Sequence, residues 1–182
     1  MLFSAVHSLR GLIRSRPLLG SECEFLEREF GPSLELGRIR LAGGGQPFGR
    51  VAWQPAAALI QLADFCFEQR DPQCAVSPAV YPILAHEALH VWQRVHKQCA
   101  LHVSVDGLWL GLVRGRAAYG YDRALADPQL VLEEFLAGNI ERQGQMFEDY
   151  VRSNVQLVHA RDPKFVAVAD YVRATGSVPR GA

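Results

Sequence analysis

The chain has 182 residues, 49% of them hydrophobic, and nineteen basic and nineteen acidic residues cancel to a net charge of zero. This length allows one sizeable core and is short for two independent domains. A net charge of zero disfavours nonspecific electrostatic binding to nucleic acid or to an anionic membrane, so we expect neither nucleic acid nor a membrane as a partner. Four cysteines without CxxC spacing disfavour a four-cysteine zinc site. They predict buried free thiols in a cytosolic protein, with one or two disulfides as the alternative if the protein works outside the cytoplasm.

Residues 1–20 carry three arginines among short apolar runs and predict an amphipathic segment whose helix ends before Pro17. The segment lacks the continuous apolar core and the small-residue cleavage site of a secretory signal. No other stretch is long enough for a transmembrane span. We therefore expect a protein that is cytoplasmic in the producing cell and that would enter a target cell, if secreted, without a signal peptide.

Short elements of both kinds are predicted in the first third of the chain. Residues 21–30 predict a helix with Ser21 as its cap and Glu24 completing a capping box, and Gly31 and Pro32 end it. Alternating apolar residues and turn signals then predict strands in three places, at residues 34–41, 48–53 and 57–67.

A longer amphipathic helix is predicted around the run LAHEALHVWQ, residues 84–93. Apolar residues recur at steps of three and four, and His86 and His90 lie almost opposite that stripe. One turn apart, both imidazoles can reach one metal ion. Glu87 then points beside the ion, which suits a carboxylate that takes the proton of an attacking water. Since the short pattern also arises by chance, a third ligand would strengthen this interpretation.

The part of the chain after this helix is predicted to be mostly helical. Two short apolar runs, residues 101–105 and 109–113, come first. Helices follow at residues 128–135, at residues 140–154 with Asn139 as cap, and from Asp162 and Pro163 through residue 172, before a flexible tail at 175–182. The expected fold is a single α+β domain over residues 21–174, with a small twisted sheet beside the histidine helix.

Two kinds of third ligand are compatible with the histidine pair. His96 reproduces the metzincin spacing, but Gln93 replaces the glycine of that motif, and a continuing helix would turn His96 away from the ion. The alternative is a carboxylate from a later helix, for which the candidates are Glu133, Glu134, Glu141, Glu148 and Asp149. Glu141 lies in the first turn of its helix, where the helix dipole favours a carboxylate. Spacing alone does not choose between Glu134 and Glu141.

Three segments carry a resemblance to a known family. The runs LAHEALHVWQ, YGYDRAL and NIERQGQMFEDY look like those of small zinc metallopeptidases known as Vgr-related proteins. Such proteins are encoded near bacterial type VI secretion genes and are similar to a wider domain found at contractile injection loci. The likeness covers roughly residues 21–151. It departs from the family pattern at Arg142, where the family usually has glutamine, and in the loop of residues 97–114.

The resemblance implies a zincin-like domain with a gluzincin-like Zn²⁺ site. Its ligands would be His86, His90 and Glu141, with Glu87 as the base. The resemblance also implies that the protein is delivered into a neighbouring or host cell. Its expected partners are then a secretion apparatus or a cognate immunity protein.

The expected function is the hydrolysis of peptide bonds in a protein or peptide substrate. One alternative keeps the metal chemistry but acts on peptidoglycan peptide stems or crosslinks. Another is a non-enzymatic zinc-binding adaptor of a secretion system, against which Glu87 argues because a structural zinc site does not need this carboxylate. A DNA-linked protease of the SprT kind is disfavoured by the neutral charge and the absence of a basic cluster.

A further donor is expected to stabilise the developing oxyanion. Tyr121 is the predicted residue, because it lies in the Tyr-Asp segment of the resemblance and between the two metal-binding helices in sequence. Of the two tyrosines in this segment, Tyr119 and Tyr121, we expect only one to reach the zinc. His102 and Tyr150 are the alternatives.

Overall fold

The computed structural model describes residues 15–44, 51–56, 58–96, 115–156 and 162–175. Within them the chain has a mixed α+β fold, with five α-helices and a small sheet. This confirms the predicted α+β class. In the same described ranges, no helix is both long enough and apolar enough to cross a membrane.

The sheet consists of four short strands, in the order β1-β2-β4-β3. Their bounds are β1 Arg16–Pro17, β2 Arg40–Ala42, β3 Ala52–Ala56 and β4 Leu59–Leu62. The central pair β2 and β4 is parallel, while β1 and β3 each join the sheet antiparallel. Leu41 lies opposite Ile60 in the register, and both side chains are fully buried, so the central pair anchors the sheet in the core.

The predicted strands are longer than the observed ones. Of residues 34–41, the part at Leu36–Arg38 forms a 3₁₀ turn and only the end belongs to β2. Of residues 57–67, β4 occupies four residues and a 3₁₀ turn follows at Asp64–Cys66. Of the predicted strand at residues 48–53, residues 48–50 lie outside the described part, and Ala52 and Trp53 belong to β3. The apolar runs at 101–105 and 109–113 lie outside the described residues.

The helices match their predicted positions more closely. They are α1 Gly20–Phe30, α2 Tyr81–His96, α3 Pro128–Ala137, α4 Ile140–Gln156 and α5 Val166–Ala174. The predicted Asn139 cap is confirmed, because its Oδ1 accepts a hydrogen bond from the Arg142 amide at 2.9 Å. The predicted cap of α1 is wrong. That helix begins one residue before Ser21, and Glu22, not Glu24, accepts the bond from the Leu19 amide, at 2.8 Å.

A buried ion pair ties β1 to the rest of the fold. Arg16 and Glu22 are 6% and 0% exposed, and the guanidinium donates two hydrogen bonds to the carboxylate, at 2.7 and 2.8 Å. Arg16 also donates to the carbonyls of Pro72 and Cys74, and the Val76 amide donates to Glu22. Every oxygen of the carboxylate is therefore bonded, as a buried charge requires. The predicted helix before Pro17 falls mainly on residues 1–14, which lie outside the described part.

Three cysteines are described, and all three are free thiols, but the predicted burial holds for one of them. Cys66 is buried, and this burial raises the pKa of its thiol, whereas Cys23 and Cys74 are partly exposed. Cys99 lies outside the described residues.

Helix α2 lies at the centre of the domain. Its apolar stripe is fully buried at Leu84, Ala88 and Trp92. It packs most extensively against α4, and it also contacts α1 and β3. The face of α2 that carries the histidines is therefore turned toward the first turns of α4.

Candidate metal centre

Two packed helices bring three potential ligands together. His86 and His90 come from α2 and Glu141 from the first turn of α4, and the exposed fractions of the three residues are 7, 8 and 6%. The Glu141 Oε2 atom lies 3.5 Å from His86 Nε2 and 3.6 Å from His90 Nε2. The three ligand atoms lie within 4.8 Å of one another. This buried group could hold a metal ion.

The spacing of these atoms fits a small divalent ion. Bonds of about 2.1 Å in a tetrahedral site place neighbouring ligand atoms about 3.4 Å apart, close to the two observed Glu141 distances. Both histidines bond through Nδ1 to other partners, so each Nε2 is directed toward the carboxylate. Two imidazoles and one carboxylate, aimed at one point from two helices, form a suitable donor set for a transition metal or zinc.

The other ring nitrogen of His86 contacts a second carboxylate. His86 Nδ1 lies 3.1 Å from Glu148 Oε2, about two turns along α4 from Glu141. Arg152, which is exposed, pairs with the other oxygen of Glu148. A carboxylate at this position fixes the orientation of a ligating imidazole and raises its basicity.

His90 is held instead by a chain of neutral amides. His90 Nδ1 lies 2.8 Å from Gln93 Oε1, and Gln93 Nε2 donates to Gln143 Oε1, also at 2.8 Å. The two glutamines are 1% and 4% exposed. In the sequence, Gln93 stands out only as the residue that replaces the metzincin glycine. Its role, like that of Gln143, depends on the contact between α2 and α4.

Gly144 lets α4 approach His86 closely. A Cβ atom at this position would lie 2.6 Å from His86 Nε2 and 2.8 Å from Cε1, closer than real contacts allow. A glycine inside a helix costs about 1 kcal/mol relative to alanine, so its presence in α4 requires a reason. A lone glycine three residues after Glu141 is the one sequence signal for this close approach.

The charges around His86 change its proton affinity. Burial alone would lower the pKa of His86, but hydrogen bonds with Glu141 and Glu148 and the charge of Glu87 outweigh it and raise the pKa to about 10. For Glu141, burial raises the pKa, and the contacts with His86 and His90 outweigh this and hold it well below its usual range. Without a metal, the centre thus favours a protonated His86 beside ionised carboxylates.

Glu87 lies next to the metal ligands without joining them. It is 8% exposed and is not part of the group of converging ligand atoms, although its negative charge acts on His86. Its backbone carbonyl accepts a hydrogen bond from the side chain of Gln54 on the edge strand β3. The helix around Glu87 is thereby tied to the sheet.

Glu134, the competing carboxylate, lies elsewhere. It forms an ion pair with Arg142 at 3.0 Å, across the corner between α3 and α4. His96 is also outside the centre, since its Nε2 lies 2.6 Å from the Ser33 carbonyl oxygen and its ring packs on Trp92. Of the residues weighed as third ligand, the structure brings Glu141 to the histidines.

The two tyrosines differ in what they contact. The Tyr121 hydroxyl donates to Asp149 at 2.8 Å, and burial together with this carboxylate raises the pKa of the phenol. The Tyr119 ring lies beside His86, with 6.1 Å between the ring centroids. Of the alternatives, Tyr150 is fully buried and accepts a bond from Arg173, and His102 lies outside the described residues. Of these tyrosines, the one whose ring lies beside His86 is therefore Tyr119.

Comparison with known proteins yields no relative of this chain. No family model, no curated protein and no solved structure matches it. The interpretation of the metal centre therefore depends on the geometry and chemistry of its own residues.

Proposed function

We propose that the chain is a zinc-dependent, zincin-like peptidase, with His86, His90 and Glu141 as zinc ligands and Glu87 as the general base. The observation that carries this proposal is the convergence of His86, His90 and Glu141. Glu87, the glutamate that directly follows His86 in the pattern His-Glu-x-x-His, is not in this ligand group. Two histidines and one glutamate form the protein ligand set of zinc hydrolases that leave a fourth position for water or substrate.

The number of ligands supports a catalytic centre over a structural one. A structural zinc site is closed by four protein ligands, most often including cysteines. Within the described ranges, the group of histidine, cysteine, aspartate and glutamate side chains that could share one ion has three members. This favours an enzyme over the non-enzymatic adaptor.

In this proposal each residue has a defined role. When bound, the metal lowers the pKa of a water molecule to about 7 and polarises the scissile carbonyl. Glu87 accepts the proton of the attacking water on its carboxylate and returns it to the leaving amine. Glu148 and Gln93 hold the two imidazoles with Nε2 toward the metal position. Burial of the ligands strengthens the electrostatic interactions within the centre.

The proposal includes a protein or peptide substrate and an association with a bacterial type VI or contractile injection system. This part rests on the resemblance of the histidine helix, the Tyr-Asp segment and the start of α4 to Vgr-related metallopeptidases. If the chain is associated with such a system, we expect it to be exported to a target cell. We also expect a cognate immunity protein as its partner.

Metal content and hydrolysis test the proposal together. The purified full chain is expected to hold one zinc ion, measured by inductively coupled plasma mass spectrometry, and to cleave an unfolded protein such as casein. Purified sacculi are the second substrate, and release of stem peptides would assign the activity to peptidoglycan. A chain that binds no zinc in calorimetry contradicts the proposal. A chain that binds zinc but cleaves neither substrate contradicts the proposed peptidase activity and favours the non-enzymatic zinc-binding adaptor.

Zinc binding is expected to release a proton from His86 and to strengthen as the pH rises. In the metal-free protein His86 is protonated below its pKa of about 10, and the metal needs the unprotonated Nε2. Zinc affinity should therefore fall as the pH drops from 10. Calorimetry at pH 7 in buffers of different ionisation enthalpy measures the protons released. Replacing Glu148 by glutamine removes one cause of the raised pKa and should reduce that number.

A further inference from the structure

We infer that Gln93 and Gln143 are positioning residues, which hold His90 as the tautomer protonated on Nδ1 and so present its Nε2 lone pair to the metal. This inference rests on the proposed metal site and adds to it two residues that touch neither metal nor substrate. It follows from the direction of each hydrogen bond in the chain of amides.

The direction is set at the corner between α3 and α4. Gln143 Nε2 lies 2.8 Å from the Phe135 carbonyl oxygen and 3.2 Å from that of Gly138. A backbone carbonyl can only accept a hydrogen bond. The nitrogen of the Gln143 amide must therefore face these carbonyls, and its oxygen must face Gln93.

The same reasoning then applies to Gln93. Its nitrogen lies 2.8 Å from Gln143 Oε1 and 3.3 Å from the Ile140 carbonyl oxygen, and both partners accept only. Gln93 Oε1 is left facing His90 Nδ1 at 2.8 Å. An amide oxygen cannot donate, so Nδ1 must carry the hydrogen. The backbone carbonyls of Phe135 and Gly138 thus determine the tautomer of His90 through two intervening glutamine side chains.

Burial makes the alternative arrangements unfavourable. Gln93 and Gln143 are 1% and 4% exposed, so solvent hardly competes for their amide groups. Turning either amide round would set its oxygen against a carbonyl oxygen and leave buried donors without acceptors. The two amides therefore keep one common orientation. In the other His90 tautomer, with the hydrogen on Nε2, the lone pair of Nδ1 would face the lone pairs of Gln93 Oε1, which is repulsive.

The chain of amides also links the ligands of the two helices. Gln93 is three residues from His90 on α2, and Gln143 is two residues from Glu141 on α4. The carbonyls that end the chain, at Gly138 and Ile140, flank the start of α4. The position of His90 is thereby fixed relative to Glu141 before a metal binds. His86, in contrast, is oriented by the carboxylate of Glu148.

The decisive variant is Gln143→Met in the full chain, because Gln143 contacts no ligand and methionine has nearly the same shape. Zinc affinity is expected to fall about 10-fold to 100-fold. The matched control is Gln61→Met on β4, a glutamine that is also 4% exposed, whose amide donates to the Gly43 carbonyl. It should leave zinc affinity unchanged, whatever it does to the melting temperature.

Long-range ¹H–¹⁵N spectra of the histidine rings give a readout that packing alone would not move. In a pH series that includes the neutral ring, metal-free wild type should show His90 as the single Nδ1–H tautomer. Gln143→Met should show a mixture of tautomers. If Gln143→Met does not fold, Gln93→Met breaks the same chain and is held to the same expectation.

Two results would overturn the inference: a wild-type His90 protonated on Nε2, or folded Gln143→Met and Gln93→Met proteins with unchanged zinc affinity and tautomer. Failure of the proposed function is recognised separately. A wild-type chain that binds no zinc would end that proposal, while the tautomer in the metal-free protein would still decide the role of the two glutamines.

Discussion

Replacing Glu87 by glutamine is expected to lower the rate of peptide hydrolysis about 10²-fold to 10⁴-fold, the usual contribution of a general base. The amide keeps the shape of the side chain but cannot accept the proton of the attacking water. Because Glu87 is outside the group of converging ligand atoms, the variant should keep its zinc. The loss should appear mainly in kcat, measured with a fluorogenic peptide identified from the casein digest, with zinc content determined on the same sample.

A surface substitution of the same chemistry provides the control. Glu133 on α3 is exposed, so Glu133→Gln should retain wild-type kcat and zinc content. If Glu87→Gln hydrolysed the peptide as fast as wild type, Glu87 would not be the base. If it lost zinc together with activity, its carboxylate would be acting on the metal centre rather than on the water.

The helices were predictable because the signals for a helix lie within the helix. The apolar stripe of α2 repeats at steps of three and four residues, and the Asn139 cap of α4 acts on a backbone amide three residues away. Both features match the structure. The strands were predicted too long, because alternation reports burial and not pairing. Residues 34–41 alternate through a 3₁₀ turn, and a strand partner exists only for Arg40–Ala42.

The site shows the same division between local and tertiary information. His86 and His90 are one turn apart on one helix, so spacing alone brings their rings together. The choice between Glu134 and Glu141 depends on how α3 and α4 pack, since Arg142 pairs with Glu134 and leaves Glu141 to the histidines. Local sequence patterns do not predict how α3 and α4 pack, so they could not choose between the two glutamates.

The residues that sequence reasoning missed act through contacts between helices. Gly144 is needed because the His86 ring occupies the space of its Cβ, and Gln143 is needed because Gln93 reaches it from α2. For the tyrosines, the sequence favoured Tyr121, but side chains two residues apart share a face of an extended segment, so extended geometry could not separate the pair. Tyr119 in fact ends a 3₁₀ helix, Gly115–Tyr119. The ring beside His86 is that of Tyr119, and Tyr121 contacts Asp149.

Replacing Glu141 by alanine is expected to weaken zinc binding about 10²-fold or more, whereas Glu134→Ala should leave it unchanged. Structural zinc binding by four ligands amounts to about 10–16 kcal/mol, so one ligand accounts for roughly 3 kcal/mol, about 10²-fold in affinity. Glu134 faces Arg142 in a partly exposed pair, and its loss should cost at most about 1 kcal/mol of folding stability. Competition with a zinc chelator at pH 7 measures both affinities. This expectation follows from the Glu141 Oε2 atom, which lies 3.5 Å from His86 Nε2 and 3.6 Å from His90 Nε2. A loss of zinc affinity confined to Glu134→Ala, or an unchanged affinity in Glu141→Ala, would remove Glu141 from the ligand set.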